Sequence, residues 1–307
     1  MEIITNIDNL TVKPTAATIG SYDGVHKGHV AMIKELRTAA AERGLPITVI
    51  TFMQHPRILF GAECEPFLLT TNKEKTALLE QAGVERCILL DFDSYMAAMT
   101  AERFMKEILK DKLGVELLAV GYDHHFGTPQ EGEGIEEYIS YGKKMGIDVF
   151  QTAQYAPNGS NLSSSAVRRA LAAGNTDTAQ KLLGRPYSLE GSVTHGAALG
   201  RKIGFPTANI IVSDEMKMLP KDGVYEVAVT VAGNRYKGVM NIGVKPTLQG
   251  VDLRTAEVHI LDFSEDIYGH KISVSFLRRL RDEIPFNTID DLKLQIGVDV
   301  ARVKRGI

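Results

Sequence analysis

Two hydrophobic periodicities divide the chain. Up to about residue 183, short runs of consecutive apolar, β-branched residues recur between longer stretches whose apolar side chains return every three or four positions. The runs at 16–20, 47–53, 86–90, 117–121 and 147–151 predict strands. The spans 73–82 and 101–110 predict helices, the second carrying Phe104, Ile108 and Leu109 on one stripe behind a Thr100 cap. Strands apolar at nearly every position must be covered on both faces, which predicts a doubly wound α/β domain around a parallel sheet. Ligands of such a domain sit beyond the strand C-termini.

From Leu183-Gly184-Arg185-Pro186-Tyr187 onward, glycine and proline end the helical pattern and alternation of period two takes over. Val227, Val229 and Val231 alternate with Glu226, Ala228 and Thr230. Comparable strands are predicted at 188–195, 207–212, 237–242, 256–263 and 271–276. Short strands joined by glycine turns predict a small antiparallel β-barrel. A last helix, capped by Thr288 with Asp291 at its third position, carries Leu292, Ile296 and Val303 and is expected to close one side of that barrel. The expected domains are 1–184 and 185–307.

Composition narrows the setting. With 35 basic and 38 acidic residues the net charge is −3, so no basic field points to a nucleic-acid partner. No apolar run approaches the roughly 18 residues of a membrane helix, and the first residues lack the basic start of a signal peptide. A cytoplasmic location is expected. The two cysteines, Cys64 and Cys87, match no metal or redox spacing and are expected to be reduced and structural.

Candidate chemistry begins where the first long strand ends. The stretch from Gly20 through Tyr22, Asp23, Gly24, His26 and Gly28 to His29 crosses a glycine-bearing bend and opens a helical segment. Histidines three apart there lie on one face, beside backbone N–H groups that favour an anion. Alone, the spacing fits a metal-like pair or two surface histidines equally well. Joined to the glycines, it points to phosphate handling, with imidazoles assisting the charge that builds during phosphoryl transfer. Further on, Ser163 and Ser164 precede a helix with Arg168 one turn in, which suits a leaving pyrophosphate or an ordinary cap with a solvated arginine.

In the second half, Gly200, Arg201, Lys202 and Gly204 precede an extended run in which Thr207 and Asn209 face the same way. Two such oxygens serve one hard cation or one phosphate; a polar pair on a solvent-facing strand has the same pattern. Glu257 on a predicted strand is a candidate general base or an outward solubilising carboxylate. Arg281 follows Arg278 and Arg279, a cluster that commonly forms a solvated face.

These segments resemble, in order, those of the bacterial bifunctional riboflavin kinase/FMN adenylyltransferases, also called FAD synthetases. Gly20 to His29 looks like the H-x-G-H signature of nucleotidyltransferases, and Thr51 to Pro56, with His55, like the T-F-x-P-H-P segment. Val120 to Gly127, with Asp123 and Phe126, resembles G-x-D-F-x-F-G. Leu162 to Arg168 resembles I-S-S-T-x-I-R. In the second half, Gly204 to Asn209 resembles G-x-P-T-A-N, Asn241 to Thr247 N-I-G-x-x-P-T, Glu257 to Phe263 E-x-H-x-x-D-F, and Leu280 to Phe286 L-R-x-E-x-x-F. Gln54, His124, Ser165 and Leu248 depart from the family pattern.

The resemblance implies a nucleotidyltransferase domain and a riboflavin kinase barrel. It implies catalytic roles for His26, His29, Arg168 and Glu257. Nucleotide contacts are implied for Gly20, Tyr22, Asp23, Gly24, Gly28, Ser163, Ser164, Gly200, Lys202, Gly204 and Asn241. Flavin contacts are implied for His55, Asp123, Phe126 and Arg281, and Mg2+ contacts, with ATP, for Thr207 and Asn209. Riboflavin, FMN and ATP are the expected partners, with FMN and FAD as substrate and product rather than redox cofactors. No nucleic acid or membrane is expected to bind, and a monomer or weak homo-oligomer is expected. The rivals are a paralogue with one active half, impaired at His124 or Leu248, and a non-catalytic flavin-binding regulator.

Overall fold

The computed structural model describes residues 1–8, 10–59, 65–122, 133–156, 162–195, 199–246 and 252–306. By contact the chain forms two compact units, 1–65 with 70–163 and 66–69 with 164–307. The helices Ser164–Ala172 and Thr176–Leu183 thus belong to the second unit, where Val167, Leu171, Ala179 and Leu183 join its core.

The first unit holds one sheet of six strands, β1 (Glu2–Ile4), β2 (Thr15–Ile19), β3 (Ile47–Phe52), β4 (Arg86–Leu90), β5 (Val115–Val120) and β6 (Asp148–Gln151). They lie in the order β1-β4-β3-β2-β5-β6, all parallel, as the apolar runs predict. Every residue of β2 and β3 is buried, because helices cover both faces. Ala17, Ile50 and Leu118 pack into one core and Ala16, Val49 and Leu117 into the other.

Caps fix the helices. Thr71 and Glu74 form a reciprocal capping box at Asn72–Gln81, and Thr100 accepts from the Arg103 N–H at 3.3 Å. The helix expected at 101–110 is α-helical only over Ala101–Phe104, then a π-helix over Met105–Lys112. The wider turn still buries Met105, Ile108 and Leu109, so the predicted stripe survives while its period does not.

The second unit is a closed six-stranded barrel of β7 (Ser188–Thr194), β8 (Ala208–Val212), β9 (Gly223–Val231), β10 (Asn234–Pro246), β11 (Asp252–Ile260) and β12 (Lys271–Arg281). The order is β10-β11-β8-β7-β12-β9 and every pairing is antiparallel. Closure leaves none of these six strands as an edge strand. Along β11, Ala256, Val258 and Ile260 are buried in the barrel, which sends Glu257 and His259 to its outer wall. The terminal helix Ile289–Arg305, capped by Thr288, buries Val303 against Val224, Val239 and Leu280 on that wall.

Candidate functional site

In the first unit the chain leaves β2 at Ile19, and the Gly20 N–H still bonds to the Ile50 carbonyl at 3.1 Å. It then turns sharply: Val25 N–H donates to the Tyr22 carbonyl at 3.1 Å, with φ of +48° at Tyr22, +81° at Gly24 and +37° at Val25. Positive φ at Tyr22 and Val25 is strained for residues bearing a Cβ, so neighbours must hold the turn. Thr70 does so. Asp23, 2% exposed, accepts from the Thr70 N–H at 2.9 Å and hydroxyl at 3.1 Å, while that hydroxyl accepts from the Gly24 N–H at 3.0 Å. Tyr22 is buried beneath, its hydroxyl donating to Thr18 at 2.9 Å. Burial pushes its phenol far above the ordinary range, the Thr18 bond opposing this.

The turn delivers His26 to the N-cap of the Lys27–Ala41 helix, where its Nδ1 accepts from the His29 N–H at 3.4 Å. The two imidazoles stack with centroids 3.7 Å apart, and the Tyr22 ring lies 4.8 Å from His29. The structure therefore brings the two histidines together at the mouth of a helix beyond a strand C-terminus, where anions are favoured. The glycines also serve the fold. Gly24 takes a positive φ, and a Cβ at Gly28 would stand 2.9 Å from Leu162 and 3.1 Å from the His26 ring. At Gly20 a Cβ would meet only Tyr22, at an ordinary 3.4 Å.

His55 accepts the Arg57 N–H at 3.2 Å and so caps the Pro56–Leu59 turn of helix. Asp123 and Phe126, with the divergent His124, lie outside the described residues. Ser163 ends the first unit and Ser164 opens the second. Arg168 belongs to the second unit, where its Nε donates to the Phe67 carbonyl at 2.8 Å and its guanidinium covers the Phe67 ring. Lys75 was not foreseen. Only 6% exposed, it donates from Nζ to the Phe52 carbonyl at 3.1 Å, at the C-terminal end of β3. Burial lowers its pKa, with the charges of Asp23 and Cys87 opposing. In the sequence it stands four positions before Leu79, on the helix stripe that the structure buries.

In the second unit, strand register assembles the site. Asn209 on β8 pairs with Glu257 on β11, and Glu257 with Asn241 on β10, so three polar side chains form one row across adjacent strands. Thr207, just before β8, donates from its hydroxyl to Glu257 Oε2 at 3.3 Å. All four line a cavity of about 430 Å³ between the barrel wall and the terminal helix. Thr207 also lines a second cavity, of about 310 Å³, with Arg201, Phe263 and Tyr268. Thr207 thus borders both chambers.

The loop before Thr207 has its own reasons for glycine. A Cβ at Gly200 would overlap the Phe205 carbonyl, and Gly204 sits at φ +90°. Lys202 points to solvent. His259, the histidine of the E-x-H-x-x-D-F segment and given no role there, anchors this loop: its Nδ1 lies 2.7 Å from the Pro206 carbonyl, which can only accept, and its ring meets Phe205 edge-on. Arg281 lines the larger cavity but is not solvated as its cluster suggested. It forms a two-pronged ion pair with Asp299, 4% exposed, at 2.8 and 3.0 Å, and Gln295 donates to the same carboxylate. Arg278 likewise pairs with Glu226 at 2.6 Å.

A hydroxyl, an amide and a carboxylate on one face are hard oxygen donors, the set a magnesium ion takes. Among the described residues no group of three or more His, Cys, Asp and Glu could hold a metal. The protein would supply part of a coordination shell, leaving the rest to phosphate oxygens and water.

A parallel α/β unit with stacked histidines at a helix mouth, followed by a closed barrel whose outer wall holds a carboxylate bonded to a threonine that lines two chambers, defines a two-part nucleotide-using transferase. The FAD synthetase family model matches residues 9–166 and the riboflavin kinase model residues 183–307. The bifunctional riboflavin kinase/FMN adenylyltransferase of Escherichia coli (strain K12) is 39% identical, over 97% of this chain and 96% of its own length. That of Bacillus subtilis (strain 168) is 34% identical, over 92% and 89%. A crystal structure from Streptococcus pneumoniae, described as a macrolide-efflux protein, superposes with a TM-score of 0.89 at 32% identity, covering 98% of both chains. The chain belongs to the bifunctional riboflavin kinase/FMN adenylyltransferase family.

Proposed function

We propose that this chain makes FAD from riboflavin in two steps, phosphorylation at the barrel wall by residues within 185–307 and adenylyl transfer by residues within 1–184. The observation that carries the first step is the contact between Glu257 and Thr207, which borders both chambers. ATP in the smaller chamber and riboflavin in the larger would bring a γ-phosphate and a primary alcohol together at Glu257. The Glu257 carboxylate takes the proton of the ribityl hydroxyl as its oxygen bonds to the γ-phosphorus, and ADP leaves. Thr207 and Asn209 would hold Mg2+, which when bound neutralises phosphate charge. His259 keeps the loop bearing Thr207 against β11, so the hydroxyl and the carboxylate stay together.

In the second step a phosphate oxygen of FMN attacks the α-phosphorus of ATP and pyrophosphate departs, with no covalent enzyme intermediate. His26 and His29 donate hydrogen bonds to charge developing on the α-phosphoryl group, next to the positive end of the Lys27–Ala41 helix. Arg168 is assigned to this half on its motif. The small-molecule substrates riboflavin, FMN and ATP are the partners this function requires, and no helix among the described residues is long and apolar enough to cross a membrane. Incubating the protein with Mg-ATP and either riboflavin or FMN, and resolving the flavins by chromatography, scores the halves separately. Glu257→Gln should cut FMN formation about 10²–10⁴-fold and leave FMN adenylylation unchanged. A wild-type rate of FMN formation would remove Glu257 as the base.

A further inference from the structure

Glu283 has no role in the two steps above, yet it is built into the larger chamber. Its Oε1 accepts from Asn241 Nδ2 at 2.8 Å, and Asn241 stands opposite Glu257 in the strand register. The backbone makes room for it: a Cβ at Gly243 would overlap the Glu283 carboxylate, with Oε2 only 2.7 Å away. Two segments 40 residues apart, one supplying Asn241 and Gly243 and the other Glu283, thus form one seat for a carboxylate.

That carboxylate deepens the negative charge of the chamber. Among the described residues its lining carries three carboxylates, Glu257, Glu283 and Asp299, against the one guanidinium of Arg281. The single guanidinium is already held by Asp299. A neutral alcohol enters such a chamber without electrostatic cost, whereas a flavin carrying a phosphate monoester, close to a dianion at neutral pH, is repelled. We propose that Glu283 is a specificity-determining residue of the kinase half, admitting the uncharged flavin and rejecting its phosphorylated product. Glu283 is exposed at the rim, so its charge acts through partly screened solvent and its effect depends on salt.

The inference rests on the kinase assignment, and the test separates the two. Initial rates of riboflavin-dependent ADP release by the full chain are measured with FMN as competitive inhibitor. Adenylylation of FMN releases pyrophosphate and does not enter that signal. Glu283→Gln keeps an acceptor for Asn241 and removes the charge; it should lower the FMN inhibition constant about fivefold, with the riboflavin KM changed less than twofold. In the wild-type protein, raising ionic strength from about 0.05 to about 0.5 M should strengthen FMN inhibition and leave the riboflavin KM in place. FMN inhibition unchanged in Glu283→Gln, whatever its salt dependence, or one that moves in step with the riboflavin KM, overturns this role for Glu283. Absence of riboflavin-dependent ADP release from the wild-type chain overturns the kinase assignment and this inference together.

Discussion

Gly28→Ala adds one methyl group in a place the structure leaves no room for. The new Cβ would sit 2.9 Å from Leu162 Cδ2 and 3.1 Å from both Cε1 and Nδ1 of His26. Leu162 can swing away. The His26 ring has less freedom, because it is 6% exposed, caps the helix through Nδ1 and stacks on His29 at 3.7 Å. Relief therefore displaces the imidazole by a few tenths of an ångström. Overpacking of this kind costs about 1–3 kcal/mol, offset by up to about 1 kcal/mol from replacing glycine by alanine in a helix. The protein should stay folded. Catalysis is less forgiving, since a shift approaching 1 Å in a positioned group costs about 10²-fold. FAD formation from FMN at saturating Mg-ATP should fall about 3–10-fold in kcat, while ADP release with riboflavin, assayed in the same preparation, stays within twofold. If Gly28 served only close approach of a phosphate, the KM for ATP would rise and kcat would hold. A folded variant with kcat within twofold of wild type would refute the coupling of Gly28 to His26.

Three other outcomes follow from contacts described above. Thr70→Val keeps the shape but removes the hydroxyl shared by Asp23 and Gly24; it should cost about 1–3 kcal/mol in a denaturant titration and slow FAD formation, with FMN formation unaffected. Asp299→Ala strips the carboxylate from Arg281; because the arginine is 20% exposed, the loss should fall at the low end of the ~3–5 kcal/mol typical of broken buried pairs, visible as a lowered Tm of the barrel transition. Cys87 is fully buried, and burial pushes its thiol up to about 11, so alkylation at pH 8 should spare it in the native protein and reach it in denaturant, as read by peptide mass spectrometry. Rapid native labelling of Cys87 would contradict the packing of the first unit.

The periodicities carried the architecture. Uninterrupted apolar runs are the direct imprint of a sheet covered twice, and the Val227, Val229, Val231 alternation is that of a wall with one buried face. What escaped were features without a period. β1 is three residues with a single buried side chain, recruited by pairing with β4 rather than by its own pattern. The π-turns at Met105–Lys112 obey a spacing that no α-helical template anticipates. At the sites, the motifs contain the histidine pair and Thr207, Asn209 and Glu257, and also His259 and Glu283, but the contacts of His259 and Glu283, like that of Lys75, are with partners distant in sequence, which no motif displays. Gly243 shows why. Its lack of a side chain is explained only by a carboxylate 40 positions later, which register and closure bring to it.

The split along β11 carries one more consequence. Core and chemistry take alternate residues of a single strand, Ala256, Val258 and Ile260 inward and Glu257 and His259 outward. A slip of one residue against β8 or β10 would exchange the two sets, burying a carboxylate and an imidazole where the barrel needs aliphatic volume. Such a chain could not close. Core and outer row are therefore checked together: a molecule that has assembled its core has also placed Glu257 and His259 on the outer face, so purified preparations should hold active barrels and unfolded chains, without a compact inactive population between them.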